Sequence, residues 1–138
     1  MNDSLAFPYP VPEYGTEPYW AACNEQRLVM QRCRACGHFR WQPAPICTRC
    51  QAPDHDWAPL SGRGRIYSWT VITHPVHPAA IAKVPYVVVE VELDDQPGLR
   101  MIANLLDAAP YAIAFDAPVR VCFEQHPAGQ YLPMFRLS

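Results

Sequence analysis

The clearest pattern lies in residues 86–93. Tyr86-Val-Val-Val-Glu-Val-Glu-Leu93 places Val87, Val89, Val91 and Leu93 on one face and Val88, Glu90 and Glu92 on the other, the period-two signature of a strand with one wet side. Arg65 to Thr73 alternates too, and the simple reading puts Tyr67, Trp69 and Val71 on one face and Ile66, Ser68, Thr70 and Ile72 on the other. Leu99–Leu105, Val119–Glu124 and Tyr131–Leu137 complete five predicted strands, with Val119, Val121 and Phe123 inward in the fourth. Residues 106–118, bearing Pro110 and Pro118, form a long break after the third strand, with room for one helical turn. Five strands broken there fit the Greek-key barrel of an OB-fold, with an SH3-like barrel as the rival.

Before residue 62 the periodicity is different. Thr16-Glu17-Pro18 reads as a helix start, with a capping hydroxyl, an acidic first turn and an early proline, and Tyr19, Trp20, Cys23 and Arg27 fall at helical spacing, predicting a helix over 17–27. Residues 28–32 and 38–42 read as a hairpin, and Trp57 and Leu60 bring the chain back to the body. Residues 1–15 are aperiodic, with Pro8, Pro10 and Pro12 among Phe7, Tyr9 and Tyr14: an extended arm that drapes over the body, docks on a partner or stays disordered. The expected organisation is an arm over 1–16, a helix and ribbon over 17–61, and a barrel over 62–138, mainly β overall.

Chemistry enters through Cys33-Arg-Ala-Cys36 and Cys47-Thr-Arg-Cys50. Two residues between cysteines let one tight turn aim both sulfurs at a point, and two such turns make a tetrahedral S₄ site for structural Zn²⁺. Iron is possible at such a site but implies a redox partner, and two disulfides would imply a secreted protein. Cys23 and Cys122 stand apart and read as small core residues.

The net charge is −2 over 138 residues, which argues against a general nucleic-acid binder, and no apolar run approaches the length of a membrane span. The amino-terminal residues lack the pattern of a signal peptide, so a cytoplasmic protein is expected. Charge placement says more than the total. Arg27, Arg32, Arg34, Arg40 and Arg49 fall in residues 27–50 with no acidic residue among them, predicting a basic ribbon that could meet an anionic partner or phosphate groups. Arg65 is a second phosphate candidate. Tyr67, Trp69 and Tyr86 could stack bases, line an acyl channel or fill the core. His74 and His77 share a loop, and Lys83 is the sole lysine. No nucleophile elbow, Walker loop or dinucleotide fingerprint is present, and a closed S₄ site leaves no coordination position for a reacting group.

The ordered series Cys33-x-x-Cys36-Gly37, Pro43-x-Pro45, Cys47-x-x-Cys50, Trp57, Gly62-Arg-Gly64-Arg-Ile66-Tyr67-Ser68-Trp69, Pro85-Tyr86-Val-Val, Leu93-Asp94, Ala103-Asn104-Leu105, Pro118-Val119 and Leu132-Pro133-x-Phe135 resembles the family called domain of unknown function 35, from about residue 16 to the end. One departure is Phe115-Asp-Ala-Pro118-Val119, which lacks a glycine the family often places there. The resemblance implies a rubredoxin-like zinc ribbon joined to an OB-fold. It also implies a non-catalytic accessory subunit of a thiolase-superfamily enzyme, such as a thiolase, an acyltransferase or a steroid side-chain aldolase, that helps wall the acyl-CoA channel. On that reading Cys33, Cys36, Cys47 and Cys50 hold the metal, and Arg34, Arg40, Arg65, Tyr67, Trp69 and Tyr86 are candidates for acyl-CoA or partner contact. A single-stranded nucleic-acid binder and a free-standing acyl-CoA binder are the alternatives.

Overall fold

The computed structural model describes residues 7–138, so the first six residues of the expected arm lie outside it. Helix α1 (Glu17–Asn24) leads into a sheet of β1 (Val29–Cys33), β2 (Phe39–Arg40) and β3 (His55–Pro59), ordered β2-β1-β3 and antiparallel throughout. Five further strands follow: β4 (Arg63–Ile72), β5 (Tyr86–Leu93), β6 (Arg100–Leu105), β7 (Pro118–Gln125) and β8 (Tyr131–Leu137). They close into a barrel in the order β4-β5-β6-β8-β7, with β7 returning to β4. The contact of β6 with β8 is parallel, made at Leu105 and Phe135, and Leu106 N–H donates to Phe135 O at 2.8 Å. An SH3-like meander would have laid β6 beside β7; the exchange is the Greek-key closure of the OB-fold. The connection between β6 and β7 does hold one helical turn, at Pro110–Ala112.

The helix is shorter than its spacing predicts. Gln26 takes φ +57°, its N–H bonds Cys23 O, and Arg27 N–H reaches back to Ala22 O, a Schellman closure with glutamine in the left-handed seat that glycine usually fills. The Thr16 hydroxyl does not cap the helix: it bonds Glu13 N and O, closing the preceding turn, while the Glu17 carboxylate accepts from Gly15 N–H. Tyr19, Ala22 and Cys23 form the buried face. Burial pushes the Cys23 thiol up to about 12, so it stays protonated and packs as a small apolar group. Cys122 is half-buried and its thiol is raised for the same reason.

In β5 the inward set is the one the alternation predicts, with Val87, Val89, Val91 and Leu93 buried. Strand β4 departs from its pattern. The register runs Ile66 to Val91 and then Ser68 to Glu90, so Tyr67 is an extra residue in a bulge. Side chains alternate by twos, and one inserted residue exchanges the faces. Ile66 therefore faces inward before the bulge, and Trp69 and Val71 face inward after it, opposite Val89 and Val87. Tyr67 is left outside, 46% exposed, with the Arg100 guanidinium 3.7 Å above its ring. The expectation of one face shared by Tyr67, Trp69 and Val71 is corrected accordingly. Close by, Gly64 is required: a Cβ there would lie 2.5 Å from Glu92 O.

One core joins helix, ribbon and barrel, with Tyr19, Cys23, Leu28 and Met30 continuous with Ile66, Val89, Met101 and Phe135. Polar fasteners surround it. The β5–β6 turn sends the Gln96 amide to the edge of β2, where it accepts from Phe39 N–H at 2.9 Å and donates to Phe39 O at 3.0 Å, standing in for a strand. Asp95 next to it takes both Ser61 N–H and the Ser61 hydroxyl. On the other side Asn24 accepts from Tyr131 N–H, and Gln130 donates to Trp20 O. The arm crosses the barrel, with His126 Nε2 2.6 Å from Phe7 O and Tyr9 tilted over the His126 ring. Gln96→Ala removes two bonds at once and is expected to lower stability by about 1–3 kcal/mol in urea unfolding, with an unchanged slope.

Candidate metal centre and neighbouring surfaces

The two knuckles are built alike. Cys33 O receives Gly37 N–H and Cys47 O receives Gln51 N–H, each closing the turn behind a Cys-x-x-Cys unit. The residue after each second cysteine is left-handed: Gly37 at φ +76° and Gln51 at φ +66°. The first knuckle uses the residue suited to that conformation; the second forces it on a residue with a Cβ. The β1–β2 hairpin carries the first turn and the chain returning to β3 carries the second.

The four Sγ atoms lie within 4.8 Å of one another. Cys33 and Cys50 sulfurs are 3.6 Å apart, and Cys36 and Cys47 sulfurs 3.7 Å. A tetrahedron with metal–sulfur bonds of about 2.3 Å has edges of about 3.8 Å, so the cage has the size of a thiolate-bound ion. A disulfide needs about 2.05 Å, and all six cysteines are free. Backbone donors prepare the charge. N–H groups of Cys50 and Arg49 point at the Cys47 sulfur and bring its thiol down to about 6. The Cys36 and Ala35 amides lower Cys33 likewise. The Ala52 amide pulls Cys50 downward but is outweighed by hydrogen bonding with the Cys33 sulfur, by burial and by hydrogen bonding with the Cys36 and Cys47 sulfurs, which push it up to about 11. Four sulfurs so close cannot all ionise without a cation, so metal binding and proton release are one event here.

The six further candidates are not gathered into one site. Arg34 sits on the first knuckle, exposed and paired with Asp56 at 2.9 Å. Arg40 does not face an anionic partner; it is 3% exposed and bonded to Gln31 and Ala44. The basic ribbon is thus partly compensated, because Arg27 and Arg34 pair with Glu25 and Asp56 outside the acid-free window, and Arg40 turns inward without an acidic partner. Arg65 and Tyr67 border one hollow, but Glu92, Asp94 and Asp116 border it as well, a field that opposes a phosphate. Trp69 packs against Phe115, ring centroids 4.8 Å apart. With Tyr67 outside and Trp69 inside, these two do not form a stacking ladder for bases.

Tyr86 opens β5 far from Arg65 and borders a cavity of about 540 Å³. Sequence reasoning missed its companions: Phe7 from the arm, Lys83, Asn104 from β6 and His126. Lys83 is exposed, and its ammonium lies 5.0 Å from the centre of the Phe7 ring, a cation beside an aromatic wall. His74 and His77 form no metal cluster among the described residues; His77 caps the turn at Pro78–Ala80 by accepting from Ala79 N–H. Among the described residues no helix is long and apolar enough to cross a membrane.

Cys36→Ser is expected to abolish stoichiometric metal in elemental analysis and to cost several kcal/mol in thermal unfolding. Metal uptake by chelator-stripped protein is expected to strengthen as pH rises from about 6 to 9, between the lowered Cys47 value and the ordinary thiol, and metal is released on acidification through about 6. The sign follows from linkage: a depressed thiol favours the ordered cage above its own titration, and that gain disappears as protons return. Competition with a chromogenic chelator across that range measures it.

The model of the ChsH2 rubredoxin-like zinc ribbon domain matches residues 20–56, and that of the ChsH2 C-terminal OB-fold domain matches residues 57–124. A probable enoyl-CoA hydratase alpha subunit of Thermomonospora curvata is 39% identical over 86% of this chain and 36% of its own length. The chain thus spans about a third of that relative. A DUF35 domain-containing scaffold protein of Pyrococcus furiosus is 30% identical over 69% of this chain and 68% of its own. The solved structure titled Ltp2-ChsH2(DUF35) aldolase contains a chain with 36% identity and a TM-score of 0.84, covering 94% of this chain and 98% of that one. Ribbon, barrel and four-cysteine cage agree with these likenesses, and the chain belongs to the DUF35 family, a rubredoxin-like zinc ribbon followed by an OB-fold.

Proposed function

We propose that this chain is an accessory subunit that docks on a thiolase-like enzyme and helps form its acyl-CoA channel. The observation that carries the reading is the 36% identity, over nearly the whole of the solved chain, to the ChsH2(DUF35) component of an aldolase. The ion is structural Zn²⁺: the matched ribbon is described as a zinc ribbon, and an S₄ shell needs no redox partner to hold zinc. Such a shell is closed to water and substrate, so the metal fixes the ribbon and the chemistry resides on the partner. The substrate class is an acyl-CoA thioester, with a steroid side chain as one example. The complex works in the reducing cytoplasm, where the thiolates stay free.

On this reading the arm over 1–16, the helix and ribbon over 17–61 and the barrel over 62–138 act as three working parts. Tyr86 and Lys83, with the cavity of about 540 Å³ between them and the arm, receive part of the acyl-pantetheine moiety. Arg34, Arg65 and Tyr67 are exposed and meet the partner, while Arg40 and Trp69 shape these surfaces from beneath. Arginine and tyrosine are favoured at such contacts because each buries a large planar group that also hydrogen-bonds.

Co-expression with the thiolase-like gene neighbour is expected to yield a complex that co-purifies and turns over acyl-CoA faster than the partner alone. Separate elution together with unchanged activity rules the reading out. Calorimetry of the isolated chain with CoA thioesters is expected to show little heat; tight binding without the partner would instead identify a free-standing acyl-CoA binder.

A further inference from the structure

The interior of the ribbon holds a polar cluster with more donors than acceptors. Arg40 donates through Nε to Gln31 Oε1 at 2.6 Å and through Nη2 to Ala44 O at 2.9 Å. Its Nη1 is enclosed and has no partner. Nη2 also lies 3.1 Å from His55 Nδ1. A guanidinium only donates, so His55 Nδ1 accepts and the ring proton is assigned to Nε2. Gln31 Oε1 is already shared by Arg40 and by Ala44 N–H at 2.9 Å. The Gln31 NH₂ group therefore sits 3.3 Å from His55 Nε2 with hydrogens on both atoms. Turning the Gln31 amide over would mend that contact but set its NH₂ against two N–H donors. Arg40 Nη1 is enclosed and borders no cavity among the described residues, whereas Gln31 and the half-buried His55 face open space, so an acceptor entering from outside can meet those two donors.

Gln31 and His55 border a cavity of about 600 Å³. Its other walls include Tyr14, Pro18, Pro43, Pro45 and Trp57, flat faces without spare hydrogen-bonding groups apart from the aromatic edges. Glu17 also borders it, and a carboxylate there disfavours an anionic guest. An uncharged acceptor such as a peptide carbonyl therefore suits these donors better than an anion. Aromatic and proline faces around carbonyl-seeking donors are the means by which grooves hold polyproline II segments, whose carbonyls make no internal bonds.

We propose that this groove binds an extended, proline-containing peptide segment, one of whose main-chain carbonyl oxygens accepts from Gln31 Nε2 and His55 Nε2–H while its prolines lie on Trp57 and Tyr14. The proposal stands independently of the accessory-subunit reading, since it concerns the isolated chain. The test titrates ¹⁵N-labelled, metal-loaded full chain with acetyl-Pro-Pro-Ala-Pro-Pro-amide to a few millimolar, with a Gly/Ser peptide of equal length and sodium acetate in parallel. The Gln31 side-chain amide and Trp57 indole signals are expected to shift together and saturate with the proline peptide alone. Tyr14 is 100% exposed and has no part in the core, and Tyr14→Ala is expected to weaken binding about fivefold with an unchanged melting temperature. The proposal is overturned by the absence of a saturable shift, by equal shifts with the Gly/Ser peptide, by full binding to Tyr14→Ala, or by acetate moving the same signals.

Discussion

Four sulfurs within 4.8 Å form the constraint on which the amino-terminal half depends. Its three strands are short, β2 comprising two residues, and ladders of that length close too few bonds to offset the entropy of ordering the loops between them. A bound ion replaces that missing cooperativity, because ligands distant in sequence are fixed at a single point. The backbone anticipates it: amide groups aimed at the sulfurs of Cys33 and Cys47 stabilise thiolate before any ion arrives.

The ribbon is nevertheless joined to the barrel by more than a covalent link. Tyr19, Leu28 and Met30 enter the core that holds Val89 and Phe135, and Gln96, Asp95 and Asn24 each complete backbone that a neighbouring element leaves unpaired. Side-chain amides that imitate a strand edge are directional, so they fix orientation where apolar contact alone would permit sliding. Loss of the metal is therefore transmitted to the face of the barrel that the ribbon covers. A rigid joint would suit the accessory-subunit role proposed above.

Surface chemistry was less legible than scaffold chemistry, and Arg40 shows why. In sequence it is one of five arginines in an acid-free stretch; in space it is enclosed among Gln31, Ala44 and His55. Arg27 and Arg34 find their acids at Glu25 and Asp56, just beyond that stretch. Local charge counts assume that sequence neighbours are spatial neighbours, and a hairpin breaks the assumption. Likewise the Gln31–His55 pair was invisible, because its two residues are 24 apart and meet only across the β1–β3 ladder.

The sequence by itself determined the four-cysteine cage, the number of barrel strands and the inward face of β5, because each depends on short-range spacing: two residues between cysteines, two residues per pleat. It located the helix start but not its end, since nothing in Glu25-Gln26-Arg27 announces a left-handed glutamine. Only tertiary structure decided that Tyr67 points outward while Trp69 points inward. The bulge falls just past Arg65, where β4 leaves β7 and continues against β5 alone, and that change of partners exists only once the barrel closes. Closure through β6 and β8, rather than β6 and β7, is likewise a contact between residues thirty apart, which no periodicity within a strand can record.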